Sequence, residues 1–451
     1  MVREENFLSL AGNLVVALFG IAGFALLARS LSVEKFGEWV LFITAGSLVE
    51  MLRFGLTNTG LIRYLSGANE SSRIHLIGSN ALIGLLATLL VSVILITIRF
   101  TFPDSIEQSG YALFFSWYPL LALLNFPWNN ALVVLQADRQ YGKILTLKLI
   151  NSGSFFIILL INYGFLNMSV LQIVGTYLII NLITSISSML LGWAGLKYIS
   201  RASAEFNSAL LHFGKYSTFT LIGTNLLRSA DMLIISLSPL GSAAVSLYSI
   251  PLKLTELQQI PLRSFAATAF PKMSKASVAG KIDEVRTLFY TYAGALTFLF
   301  FIMSIFTFLF ADVFVLLIAG KQYLQTDAET GFNAVTILRI FSVYGLLLPI
   351  DRMTGLGLDS INKPAVNALK VFIMLLANIG GDLLAIFVFK SLALVAVSSI
   401  LFTLIGIWIG MRFLNKELAL QYNEIFKHGI SFYRSMYNKL INKLQPELIK
   451  L

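Results

Sequence analysis

Basic side chains sit inside otherwise apolar runs of this 451-residue sequence: Arg53, Lys148, Arg228, Lys253, Arg263, Arg339, Arg352 and Lys370. Fewer acids share that placement: Glu50, Asp231, Glu256, Asp351 and Asp382. A charge at membrane depth costs several kcal/mol unless it faces protein, water or a partner. These residues therefore belong on the inner faces of a helix bundle. The cations outnumber the acids, so that interior is net positive and suits an anionic ligand. The acids can alternate between protonated and salt-bridged forms, which is the chemistry of ion coupling and gating.

Spacing groups them further. Glu50 and Arg53, Arg228 and Asp231, and Lys253 and Glu256 are each three residues apart, which places both members on one helix face. Arg263 falls within about 60° of the Lys253–Glu256 face. Each pair reads as a cavity cation tuned by an acid or as a lock between neighbouring helices, and Lys253–Glu256 is the best site because its face also holds Arg263. Asp351–Arg352, just after Pro349, reads as a gate pair or a bundle-end pair. Lys148 and Lys370, close to helix starts, are expected at the membrane interface.

Other chemistries find no support. The chain has no cysteine, and His75, His212 and His428 are too far apart for a zinc motif. Metalloprotease, serine-hydrolase and P-loop motifs are absent. The expectation is a protein that is not an enzyme and needs no cofactor. The formal charge of +10 follows from basic loops on one side of a membrane, and nucleic acid is not an expected partner.

The elements that would position these charges are membrane spans. Hydrophobic residues make up 57% of the chain and charged ones 12%, against about a quarter charged in soluble domains. Mean hydropathy is +0.80. Runs of roughly 20 apolar residues occur near 7–28, 37–62, 76–98, 111–135, 145–163, 169–196, 216–237, 243–270, 288–311, 332–357, 365–388 and 391–414. The first is expected to be an uncleaved helix, because acids follow the single Arg3. With the N-terminus in the cytoplasm, only Arg29, Lys35, Arg99, Lys321 and Lys390 fall in outside loops. Both termini are then cytoplasmic.

A weak repeat runs through the chain. Ser30-Leu31-Ser32 with Glu50 matches Ser236-Leu237-Ser238 with Glu256 at a shift of 206, and Leu147-Lys148 matches Leu369-Lys370 at a shift of 222. Two parallel six-helix repeats at 1–200 and 201–414 would fit, with a site at their interface. The tail, 415–451, mixes Leu418, Tyr422, Phe426 and Ile430 with Lys427, Arg434 and Lys439. It suits an amphipathic helix on an anionic inner leaflet.

This pattern resembles the MOP exporter superfamily and, within it, polysaccharide flippases of the O-antigen (Wzx) type. The first hairpin, Ala28-Arg29-Ser30-Leu31-Ser32-Val33-Glu34-Lys35-Phe36-Gly37, is similar to a turn of that family, as is Leu135-Gln136-Ala137 before the fifth helix. The resemblance spans about 1–414 and implies an all-α polytopic fold, MATE-like, with two six-helix bundles around a central V-shaped cavity. It implies alternating-access flipping of an undecaprenyl-diphosphate-linked oligosaccharide across a bacterial plasma (inner) membrane.

Arg53, Arg228, Lys253, Arg263, Arg339 and Arg352 would then be diphosphate or cavity cations. Glu50, Asp231, Glu256, Asp351 and Asp382 would couple to H+ or Na+ or act as gates. Trp117, Trp128, Asn129, Asn130, Asn225, Gln258 and Gln259 would meet sugar. Membrane lipids are partners, and the reading leaves room for a polysaccharide polymerase and a chain-length regulator.

Three rival functions fit the sequence less well. A multidrug antiporter of the same superfamily would favour acids in its first helix, which has none within 7–28. A peptidoglycan-precursor flippase usually has fourteen helices. A membrane polymerase or glycosyltransferase usually shows a large outside loop or an acidic catalytic motif, and neither is found.

Overall fold

The computed structural model describes residues 2–448 apart from 56, 66–67, 139 and 326–332; at 2–15, 59, 63, 213, 215–225, 227–228, 267, 436–437 and 439–448 the backbone alone is described. Among the described residues every regular element is helical. The long helices are α1 (Val2–Ser30), α2 (Val33–Gly55), α3 (Glu70–Thr101), α4 (Ala112–Ala137), α5 (Tyr141–Leu166), α6 (Val170–Leu190), α7 (Ala204–Ser236), α8 (Gly241–Val278), α9 (Ile282–Leu309), α10 (Ala334–Ser360), α11 (Pro364–Val388), α12 (Leu392–Leu418) and α13 (Tyr422–Leu448). Helices α1 to α12 follow the twelve expected runs one for one. Among the described residues, nine segments are long and apolar enough to cross a membrane. The chain is a multi-pass membrane protein.

Local chemistry sets the helix starts. Asn69 accepts from the Ser72 amide at 2.9 Å and opens α3, and Asn333 does the same with the Thr336 amide at 2.8 Å for α10. Ser169 and Gln172 close a capping box at the start of α6, satisfying amides that the helix cannot pair itself. Prolines lie within the helices, at 119 and 127 in α4, at 251, 261 and 271 in α8 and at 349 in α10.

The α8 helix runs past its expected end at 270. At 1.5 Å per residue its 38 residues reach roughly 57 Å, nearly twice a hydrocarbon core of about 30 Å. Packing explains the extension: Met273 and Ala276, in the segment expected to be loop, are buried in one core with Val285 and Phe289 of α9.

Further features recur at the shift of 222 residues. The π-helical turns Asn162–Leu166 and Leu384–Val388 are 222 residues apart. So are the caps Ser169 and Ser391, the helix-interior prolines Pro127 and Pro349, and the first residues of α4 and α10.

Chain packing forms two compact units, 1–246 with 317–322, and 247–316 with 323–451. This border falls later than 200 because α7 packs on α2 and α3, with Leu210 buried beside Leu61, Leu76 and Val134. At one end of the first unit the 28–37 hairpin is tightly held. Arg29 donates to the Leu317 carbonyl at 2.6 Å, and Gln322 donates to the carbonyls of Ala28 at 2.6 Å and Leu31 at 3.2 Å. The Ser246 hydroxyl donates to the Val33 carbonyl. Gly37 permits this approach, since a Cβ there would lie 1.9 Å from the Ser242 carbonyl oxygen.

In the second unit α13 docks on α9. A Cβ on Gly294 would lie 2.0 Å from the Ile425 carbonyl, and one on Gly429 would lie 2.5 Å from the Gly294 carbonyl. The Tyr433 hydroxyl donates to the Ala295 carbonyl at 3.0 Å, and the Gln421 amide donates to the Tyr290 hydroxyl at 2.6 Å.

Candidate functional site

The charged side chains singled out in the sequence form separate constellations. In the first unit Arg53 of α2 has no exposed surface. Its Nε and Nη2 donate to Thr88 Oγ1 of α3 at 3.1 and 2.9 Å, its Nη1 to Asn125 Oδ1 of α4 at 3.2 Å, and its Nη2 also to the Ala122 carbonyl. The guanidinium lies 4.8 Å from the Phe54 ring centroid. Asn125 turns its other end to Glu50, donating at 2.6 Å. The acid and the cation are thus joined through an amide. A planar guanidinium suits this role, because its fixed fork of donors satisfies several acceptors at once.

Asp231 is buried in α7. The side chain of Arg228, its expected neighbour, lies outside the described residues.

In the second unit Lys253 and Glu256 meet at 2.9 Å (Nζ to Oε2), each side chain about one-third exposed at 33% and 34%. Arg263 is exposed and leans on Gln259 Oε1 at 3.4 Å. Arg339 is exposed with its guanidinium 5.9 Å from the Phe308 ring. Arg352 is exposed too, and the ion-pair partner of Asp351 is Lys370 at 2.7 Å rather than its sequence neighbour. Lys370, expected at the interface, is buried at 2% exposure between α10 and α12. Its ammonium also donates to Thr354 Oγ1 at 3.1 Å and to the Asp351 carbonyl at 3.0 Å. Asp382 is fully buried, accepting from the Ser398 hydroxyl and from Asn378 Nδ2.

Two kinds of charge are therefore present. Arg53, Lys370 and Asp382 are enclosed and held by neighbouring helices. Lys253, Glu256, Arg263, Arg339 and Arg352 keep accessible surface. Several residues expected to meet sugar are occupied within their own units. Trp128 Nε1 donates to Asn181 at 3.0 Å, Asn80 donates to Asn130 at 2.6 Å, and Gln258 donates to Thr307 at 3.0 Å. Asn225 has no described side chain. The partners of Arg53 were not evident in the sequence. Asn125, a lone amide between Pro119 and Pro127 in an apolar run, was the available signal. Among the described residues no cluster of side chains could hold a metal ion.

A family profile described as "Polysaccharide biosynthesis protein" matches residues 2–277. The chain belongs to this family. Solved transporters share its fold. A structure described as the lipid II flippase MurJ in an inward closed conformation aligns with TM-score 0.70 and 13% identity over 97% of this chain and 93% of that one. An inward-facing multidrug resistance MATE transporter of the MOP superfamily aligns with TM-score 0.67 and 16% identity over 89% of this chain and 95% of that one. A MOP superfamily transporter from Pyrococcus furiosus, described as having a binding pocket of reverse polarity, aligns with TM-score 0.57 and 16% identity over 92% and 94%. No curated protein sequence matches. The fold is one that these solved transporters share.

Proposed function

We propose that this protein flips an undecaprenyl-diphosphate-linked oligosaccharide, an O-antigen or related surface polysaccharide unit, from the inner to the outer leaflet of a bacterial plasma membrane. The family match over 2–277 carries this reading, and the excess of cations over acids in the spans supports it. On this reading both termini are cytoplasmic and two six-helix bundles open alternately to either side of a cavity. A polysaccharide polymerase and a chain-length regulator would act on the product.

Within that scheme Lys253, Arg263, Arg339 and Arg352 are the accessible candidates for the diphosphate, where charge-assisted hydrogen bonds are strong. Arg228 stays a candidate on its sequence position. Lys253 can serve the substrate only when Glu256 releases it. Protonation of Glu256 would do so, which links substrate binding to H+. Glu50, Asp231, Asp351 and Asp382 are secondary candidates for coupling or gating, with Na+ as the alternative ion. Arg53 enters the site only if the network with Thr88 and Asn125 opens.

Deleting the gene tests this. Lipid-linked repeat units should accumulate on the inner leaflet, and surface polysaccharide should disappear. Unchanged surface polysaccharide would overturn the reading.

A further inference from the structure

We propose that the end of α12 and the start of α13 form a binding site for an anionic phospholipid, separate from any path of the transported molecule. A groove of about 630 Å³ lies there. Trp408, Arg412 and Lys416 follow one another at four-residue spacing along α12, and Tyr422 closes the groove from α13. Leu404 and Ile407 supply an apolar wall.

The charges decide the ligand class. Arg412 lies 5.4 Å from the Trp408 ring and Lys416 lies 5.5 Å from the Phe413 ring. Among the described residues neither cation has a carboxylate at ion-pair distance. The acids nearby in sequence are engaged elsewhere, Glu417 with Lys363 at 3.1 Å and Glu424 with Lys427 at 2.6 Å. Two like charges four residues apart on an exposed helix face repel. An anion between them removes that repulsion.

The apolar part decides the rest. Leu401, Leu404, Ile405 and Trp408 form an exposed stripe that leads along α12 into the groove, with Trp408 62% exposed. In a bilayer this stripe faces acyl chains, and an exposed tryptophan marks the headgroup level. A ligand filling the groove needs hydrocarbon along the stripe and a phosphate beyond the tryptophan. A phosphatidylglycerol-like lipid has both. Paired basic residues at the end of a span recognise such headgroups.

The test uses the full-length protein in phosphatidylcholine vesicles doped with brominated phosphatidylglycerol or, separately, brominated phosphatidylcholine. Quenching of Trp408 is isolated by difference from Trp408→Phe. The expected result is stronger quenching by the brominated anionic lipid. That preference should fall about fivefold for each of Arg412→Gln and Lys416→Gln and return in Arg412→Lys, which shows that a loss is not misfolding. Equal quenching by the two brominated lipids overturns the site, as does a preference untouched by both glutamine variants. Displacement of the quench by undecaprenyl diphosphate but not by unlabelled phosphatidylglycerol also overturns it, assigning the groove to the transported lipid. The readout is binding alone, so its failure is distinct from a failure of the flippase reading.

Discussion

Lys370 and Asp351 form an ion pair of 2.7 Å across α11 and α10, and Lys370 is the more deeply buried member, its side chain 3% exposed against 23%. At a shift of 222 residues Lys370 matches Lys148, whereas Asp351 falls on Asn129. The sequence match at that shift therefore keeps the lysine but not the acid. Removing one partner of a buried pair leaves an uncompensated charge and costs about 3–5 kcal/mol. Asp351→Asn should lower stability by roughly 3 kcal/mol in detergent unfolding, and Asp351→Leu with Lys370→Met should recover most of it. A single variant as stable as the parent would show that the pair does not hold the unit together.

Lys253 and Glu256 respond differently, because both are accessible. Lys253→Gln removes a charge-assisted contact worth about 1.5–3 kcal/mol and should slow flipping of lipid-linked oligosaccharide in vesicles by about tenfold or more. Glu256→Gln should leave flipping active but indifferent to an imposed proton gradient. Retention of gradient dependence in that variant removes Glu256 from the coupling role.

The hold of 317–322 on the 28–37 hairpin, which alternating access would have to release, is testable because the chain has no native cysteine. Leu31→Cys and Gln322→Cys, joined by a short reducible crosslinker, should stop flipping, and reduction should restore it. Flipping that continues with the crosslink complete would mean that these segments need not separate.

Docking of α13 depends on two glycines. Gly429→Leu places a side chain where 2.5 Å separates a Cβ from the Gly294 carbonyl, so α13 should detach. Hydrogen exchange in 422–433 should rise by at least an order of magnitude. Acid should act in the same direction. The hydrogen bond from Lys427, aided by the charges of Lys427 and His428, holds the Glu424 carboxyl below its usual range. A depressed carboxyl stabilises the folded helix above its unfolded pKa, and that contribution is lost as pH falls through the depressed value. Exchange of the first turns should therefore quicken in acid below about pH 4 and should do so less in Glu424→Gln.

The fold was legible because its signal is cumulative. Each span needs some twenty apolar residues, and twelve runs of that kind leave little room for another architecture. The end of α8 was not legible, because Pro271 and Lys272 read as a stop while the burial of Met273 and Ala276 against α9 overrides them. Glu50 and Arg53 were found by their spacing, but the amide that joins them comes from α4, and no local pattern encodes a contact 72 residues away. Arg352 adjoins Asp351 in the sequence. Adjacent residues on a helix point about 100° apart, and the acid faces Lys370 instead.

The docking of α13 also fixes an order of events. Tyr290 receives the Gln421 amide 131 residues further along the chain, and Gly294 waits for Gly429. At translation rates of roughly 5–20 residues per second, α9 spends on the order of ten seconds in the bilayer with that face bare. A chaperone, a lipid or the insertion machinery must shield the Gly294 face in that interval, and ribosome stalling upstream of Tyr422 would leave a full set of spans lacking the helix that covers it.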